Sequence, residues 1–348
     1  MTARQRAIMA LLWAALAGTI VIAMYAGAVR VPLRALFSAL LEAAGLSPGG
    51  HSDVQRTVLL VVRLPRVAVA LLAGAALATG GTAMQALFRN PLADPSIIGI
   101  SSGAAMMAAL SIVLVARVAG LPGAWAATWA VPLGAFLGAV GATLLVFGIA
   151  KDGRRTSVAA MLLAGVAIAA LAGSVTGLLS FMADDSQLRS IVFWMLGGLG
   201  GADRAALWVL LVAVPVPLFI LARMHKPLNA LALGEQQARH IGVDAERMKR
   251  VVVVCTALMV GASVALCGVI GFVGLVVPHM LRLAGGADNR FLLPASALGG
   301  AVLLCLADTL ARTVAAPAEV PIGTITALCG APVFLYLLIR NKRTLQFT

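Results

Sequence analysis

Apolar residues in this chain come in long unbroken blocks, without the polar interruptions of a surface strand or helix. Charge-free runs stand at 7–29, 67–88, 95–116, 118–150, 156–183, 205–222, 251–281 and 320–339. A ninth, 291–311, carries a single acid, Asp308. A helix needs about 20 apolar residues to cross about 30 Å of hydrocarbon, so each run has the size of a membrane span. The run 251–281 is too long for one crossing at about 1.5 Å per residue. Gly268, Gly271, Gly274 and Pro278 interrupt it, and glycine and proline bend or break helices. One helix with a short return span is therefore set against one overlong helix. The first run follows Arg4 and Arg6. It exceeds the roughly 7–15 apolar residues of a signal peptide and predicts an uncleaved first span.

Composition agrees and excludes a soluble protein. The chain is 61% hydrophobic and 11% charged, with a mean hydropathy of +1.01, where a soluble domain is about a quarter charged. Its 26 Lys+Arg outnumber 13 Asp+Glu. In a soluble protein that excess would point to nucleic acid; between apolar runs it sets orientation in a bilayer. Ten crossings with the N-terminus inside put 17 of the 26 basic residues on the cytoplasmic side, whereas nine crossings divide them evenly. The positive-inside rule selects ten. The expectation is an all-α polytopic membrane protein of ten transmembrane helices, one domain over 1–348, with both termini cytoplasmic. Its longest cytoplasmic loop would be about 223–250. Cys255, Cys267, Cys305 and Cys329 fall inside apolar runs and read as buried thiols without disulfide or metal spacing.

The chain also carries traces of a repeat. GAALATGG (74–81) aligns with GASVALCG (261–268), and the same offset brings Arg63 onto Arg250, Pro91 onto Pro278 and Gly99 onto Gly286. Five crossings between the copies would invert one half (spans 2–5) against the other (spans 7–10), a plan common in transporters. Interrupted stretches at 90–99 and 271–279 would then line a pathway, because non-helical backbone at membrane depth must be satisfied by protein or a wet cavity. The alternative is ordinary helix-end punctuation.

The residues also limit the energy source. A gradient-driven secondary carrier is expected to hold carboxylates in its spans, and only Asp308 qualifies, near a helix end. A P-loop needs Gly-Lys-Ser/Thr, yet none of Lys151, Lys226, Lys249 and Lys342 follows a glycine. ATP-driven transport would therefore need a partner subunit. A membrane enzyme finds no support in His/Asp/Glu spacing, and neither a metal site nor a cofactor site is expected. LALGEQQARHIGVDAERMKR (231–250) is helical in pattern on both sides of Gly242. It reads as a solvated basic hairpin or as a helix lying across a partner.

Five strings carry a family resemblance: RLPR (63–66), GGTAMQALFRNPLADPSIIGISSGA (80–104), LGEQQARHIGVD (233–244), IGFVGLVVPHMLR (270–282) and PIGTITALCGAPVFLYLL (321–338). Together they resemble the permease subunits of bacterial ABC importers for iron–siderophores, heme and cobalamin, over about residues 55–340. The resemblance implies an inner-membrane permease that pairs with a second copy of itself. It also implies two cytoplasmic ABC ATPase subunits and a periplasmic substrate-binding protein. Arg63, Arg66 and Arg312 resemble the family's contacts for acidic residues of the binding protein; the alternative is that they anchor helix ends. Gly234, Glu235, Ala238 and Gly242 match the ATPase-coupling segment. Thr156 and Ser157 resemble the inner-gate element, with helix capping as the competing role.

For the cargo, DDSQLRSIVFWMLGGLGGAD (184–203) resembles the heme branch, departing in Gly197-Gly198 where Gly-Ser is usual. The plainer reading is an interfacial helix anchored by Phe193 and Trp194. Heme is the expected cargo, with a ferric siderophore next and cobalamin third. None of His51, His225, His240 and His279 pairs at metal spacing, and they carry no argument for heme.

Overall fold

The computed structural model describes residues 1–27, 53–117, 124–153 and 155–340. His51, Arg154, Lys342, Arg343 and the C-terminal tail lie outside that set. Helix α1 (Ala3–Tyr25) opens with a capping box in which Thr2 and Gln5 satisfy each other's backbone N–H groups. A helical turn at Asp53–Thr57 and a π-helical stretch at Val58–Arg63 lead into α2 (Leu64–Phe88). The next helices are α3 (Ile100–Arg117), α4 (Ala124–Ile149) and α5 (Val158–Met182). A two-residue hairpin, β1 (Lys151–Asp152) with β2 (Arg155–Thr156), joins α4 to α5. Then come α6 (Asp185–Leu196), α7 (Arg204–Ala213), α8 (Pro215–Arg223), α9 (His225–Ala232) and α10 (Glu235–His240). The chain closes with α11 (Ala245–Cys267), α12 (Val273–Gly285), α13 (Asn289–Val314) and α14 (Ile322–Arg340).

Among the described residues, seven helices are long and apolar enough to cross a membrane, and Ile100–Leu114, Val273–Gly285 and Ile322–Tyr336 are shorter apolar helices. They fall on the runs read from the sequence. Pro215 divides the run 205–222 into α7 and α8, although Val214 N–H still reaches the Leu210 carbonyl at 2.9 Å.

The centre of the bundle is α11, 72% buried over its most apolar stretch, with α13 at 61% and α2 at 50%; α1 and α5 are only 17% and 22% buried. Small residues permit this packing. Gly74 of α2 and Gly300 of α13 meet backbone to backbone, and a Cβ on either would strike the other's carbonyl oxygen. Thr82 bridges the same pair of helices, its hydroxyl 2.9 Å from Ser296 Oγ.

The long run breaks as expected, but not where the repeat places the interruption. Helix α11 ends at Cys267, Gly268 and Phe272 adopt positive φ, and α12 begins at Val273. Pro278 therefore lies inside a helix, while its aligned Pro91 lies in the turn after α2. In the first copy the helix continues to Phe88, past the position where the second copy stops. Cys329 is a second correction: it is exposed on α14, while Cys255, Cys267 and Cys305 are buried.

Candidate functional site

Two charged clusters occupy opposite ends of α2, whose 25 residues span roughly 37 Å. At the first end Arg63 and Arg66 stand at the start of α2 and Arg312 in the last turn of α13, only 4%, 9% and 8% exposed. Arg63 donates to the carbonyls of Met24 and Tyr25, and Arg312 to that of Ala23. Two cations thus satisfy the orphan carbonyls at the C-terminus of α1. Arg66 Nε lies 2.9 Å from Asp308 Oδ1, and its two terminal nitrogens meet Glu319 at 2.8 and 2.9 Å. Asp308 is fully buried, and its second oxygen is 3.3 Å from Arg312 Nε. It is the centre of an ion-pair network, which is a packing role. Glu319, in the loop between α13 and α14, is the half-exposed member; accepting from Arg66 holds its carboxyl below the usual range.

Beside Glu319 three chain breaks meet. Gly198 N–H donates to the Cys267 carbonyl at 2.8 Å, and Ile322 N–H to the Gly197 carbonyl at 3.0 Å. The non-helical backbone that ends α6 and α11 is thereby satisfied within the protein. Gly197 (φ 69°) and Gly268 (φ 70°) have no room for a side chain: a Cβ on the first would strike the Val269 carbonyl, and one on the second the Trp194 carbonyl. Gly198 faces open space, so the departure from a Gly-Ser pair costs no packing. A cavity of about 380 Å³ opens here, lined by Phe193, Trp194, Gly197, Cys267, Glu319 and Pro321.

At the other end of α2, Arg89 approaches the segment 233–244 near Gly234. Gly234 (φ 125°) precedes α10 and Gly242 (φ 82°) follows it, so both ends of this short helix require glycine-like backbone. Ala238, within this helix, is fully buried. Glu235 pairs with Lys249 of α11 at 2.8 Å and with Arg239 at 3.7 Å. Thr156, the last residue of β2, is buried and joined to α11 through its backbone. Ser157 caps α5, its hydroxyl accepting from Ala160 N–H at 3.2 Å. The capping role of Ser157 is thus seen directly.

Sequence reasoning missed Lys249, Glu246 and Glu319, whose partners come from distant segments. It also missed Gln85 of α2, which accepts from Arg282 of α12 at 2.9 Å. Among the described residues no cluster of His, Cys, Asp or Glu could hold a metal ion.

Comparison with known proteins places this architecture. A model described as the FecCD transport family matches residues 15–340. The Hemin transport system permease protein HmuU of Yersinia pestis is 45% identical over 292 residues, 84% of this chain and 86% of that protein. The Vitamin B12 import system permease protein BtuC of Salmonella typhimurium is 44% identical over 282 residues, 81% and 83% of the two chains. A solved structure described as an inward-facing metal-chelate type ABC transporter superposes with a TM-score of 0.82 at 32% identity, covering 96% of this chain and 99% of that one.

Proposed function

The chain belongs to the FecCD transport family, and from that premise we propose that it is the membrane-spanning permease of an ABC importer that moves heme into the cytoplasm. The observation that carries the ATP-driven reading is the state of Asp308. It is the one acid of the run 291–311, and two guanidiniums hold it in the protein interior. A locked carboxylate is unsuited to cycling protons or sodium, which a secondary carrier requires. With no P-loop in the chain, hydrolysis falls to two cytoplasmic ABC ATPase subunits. The permease itself is no enzyme.

In this reading all ten apolar helices cross the inner membrane, both termini are cytoplasmic, and two copies enclose the pathway. The end of the bundle with Arg63, Arg66, Arg312 and Glu319 faces the periplasm and receives the binding protein. Its acids would meet Arg66 by displacing Glu319, the exposed partner. The end with Gly234, Glu235, Ala238 and Gly242 meets the ATPase, and Thr156 and Ser157 stand at the inner gate. Reversing the charges of Arg63 and Arg66 together should abolish binding-protein-stimulated uptake with the permease–ATPase complex still assembled. Unchanged uptake would reject the docking role.

Heme is supported by the likeness of 184–203 and by the hemin permease at 45% identity. The cavity beside Phe193 and Trp194 is mostly apolar with Glu319 at its edge, which suits a flat, largely apolar cargo. Cobalamin is the second reading, carried by the vitamin B12 permease at 44%. Competition in vesicle uptake separates the two. Excess unlabelled heme should suppress heme entry while cobalamin and ferric siderophores leave it unchanged; uptake of cobalamin alone would reject heme.

A further inference from the structure

Lys249 is among the largest fully buried side chains of the protein, 1% exposed although it sits in a basic segment, Lys249-Arg250. A buried ammonium persists only when acceptors surround it, and here two hydrogen bonds and an ion pair do so. Nζ donates to the Thr156 carbonyl at 2.6 Å, and it meets Glu246 at 2.9 Å and Glu235 at 2.8 Å. Glu246 closes the circuit, because its other oxygen accepts the Thr156 N–H at 3.0 Å. Both backbone polar groups of Thr156 are therefore bound to the first two turns of α11. Thr156 is also the residue that pairs with Lys151 across the hairpin, one step before the cap of α5.

Three otherwise separate pieces converge on one nitrogen: α10 through Glu235, the α4–α5 hairpin through Thr156, and the buried central helix α11. The contacts are short and charged, so displacement of one piece without the others would leave the buried ammonium short of an acceptor. A linkage of this kind transmits motion; a solvated surface pair would not.

We propose that Lys249 is the positioning residue that ties the ATPase-facing helix α10 to the hairpin Lys151–Thr156, so that movement of α10 is passed directly to the start of α5. The inference rests on the reading of 233–244 as the coupling segment. It names the route by which that segment reaches the membrane helices, through the ion pair and hydrogen bonds of Lys249 and not through α11 bending as a whole.

The test uses the full assembly in vesicles, permease with ATPase and binding protein, with heme as the probe. Uptake and ATP hydrolysis are read on the same preparation and normalised to assembled complex. Lys249→Met, close in length and without charge, should lower heme taken up per ATP by about tenfold, the scale on which one charged hydrogen bond biases an equilibrium. Hydrolysis should continue. Glu235→Gln, which leaves Lys249 its other two acceptors, should give a smaller loss in the same direction, and it decides the matter if Lys249→Met does not assemble. Uptake and hydrolysis falling in equal proportion would overturn the proposal in favour of a purely structural role, as would an unchanged ratio. Gly242→Trp is the control for the underlying reading. If it uncouples while the Lys249 and Glu235 variants do not, the route through Lys249 is wrong and the coupling segment stands. If it also leaves the ratio intact, the coupling segment is wrong as well.

Discussion

Replacing Asp308 by Asn removes one charge and almost no volume, at the point where two arginines depend on it. Asp308 is fully buried, and the side chains of Arg66 and Arg312 are 11% and 8% exposed. With Asn in place, one carbonyl oxygen still accepts from Arg66, but the amide would present N–H groups toward Arg312, and two cations would face each other across it. Removing one partner of a buried pair costs about 3–5 kcal/mol. Arg66 keeps Glu319, so the lower end, about 3 kcal/mol, is expected. Glu319→Gln provides the scale: its carboxylate is 46% exposed, and such pairs contribute about 0–1 kcal/mol. Thermal unfolding of the purified protein in detergent, followed by tryptophan fluorescence, should show Asp308→Asn lowered by roughly 4 °C and Glu319→Gln by far less. If Asp308→Asn melts with the wild type, or no lower than Glu319→Gln, the buried network does not hold α1, α2 and α13 together.

The glycine contact between α2 and α13 makes a second prediction. Gly74→Leu forces a side chain against the Gly300 carbonyl and should cost about 3 kcal/mol, readable in the same melt, while Gly141→Leu, which faces open space, should not. A third concerns pH. Glu319 is held below its ordinary value of 4.5, first through its hydrogen bond to Arg66. A depressed carboxylate contributes stability above its unfolded pKa and loses it as pH falls through the folded value. The gap between wild type and Glu319→Gln should therefore stay constant from about pH 7 to 5 and close only on stronger acidification; a gap that closes near neutrality would contradict the pairing. A fourth uses the thiols: a maleimide that partitions into detergent should label exposed Cys329 and spare Cys255, Cys267 and Cys305, as peptide mass mapping would show.

How far the sequence reveals this molecule depends on the range of the physics involved. Long apolar blocks and their glycine interruptions are local signals, so the apolar helices and a break within 251–281 could be read directly. The position of Pro278 could not. Alignment puts it beside Pro91, but Pro278 is the sixth residue of α12: it frees the Gly274 carbonyl, which accepts from Gln85 Nε2 at 3.4 Å, and the helix runs through it. Burial of charge is the harder case. Lys249 beside Arg250 has the look of a solvated pair, because its acceptors come from α10, from α11 and from a backbone carbonyl 93 residues away. Arg63 and Arg312 likewise find the open carbonyls at the end of α1, which sequence does not encode as a motif. The signal that could have been used was an excess to account for: Asp308 alone in an apolar run implies a buried cation, and the arginine-flanked start of α2 was the available source. Cys329 reads as buried for the converse reason, since an apolar run does not say which face of its helix meets lipid.

The energy source is the most direct point of attack. Heme uptake should be measured in vesicles containing the permease, its ATPase and its binding protein, with ionophores collapsing proton and sodium gradients. Uptake should persist with ATP under those conditions and disappear when the ATPase, the binding protein or ATP is left out. Entry through the permease alone, driven by an imposed ion gradient, would show that the chain is a secondary carrier after all.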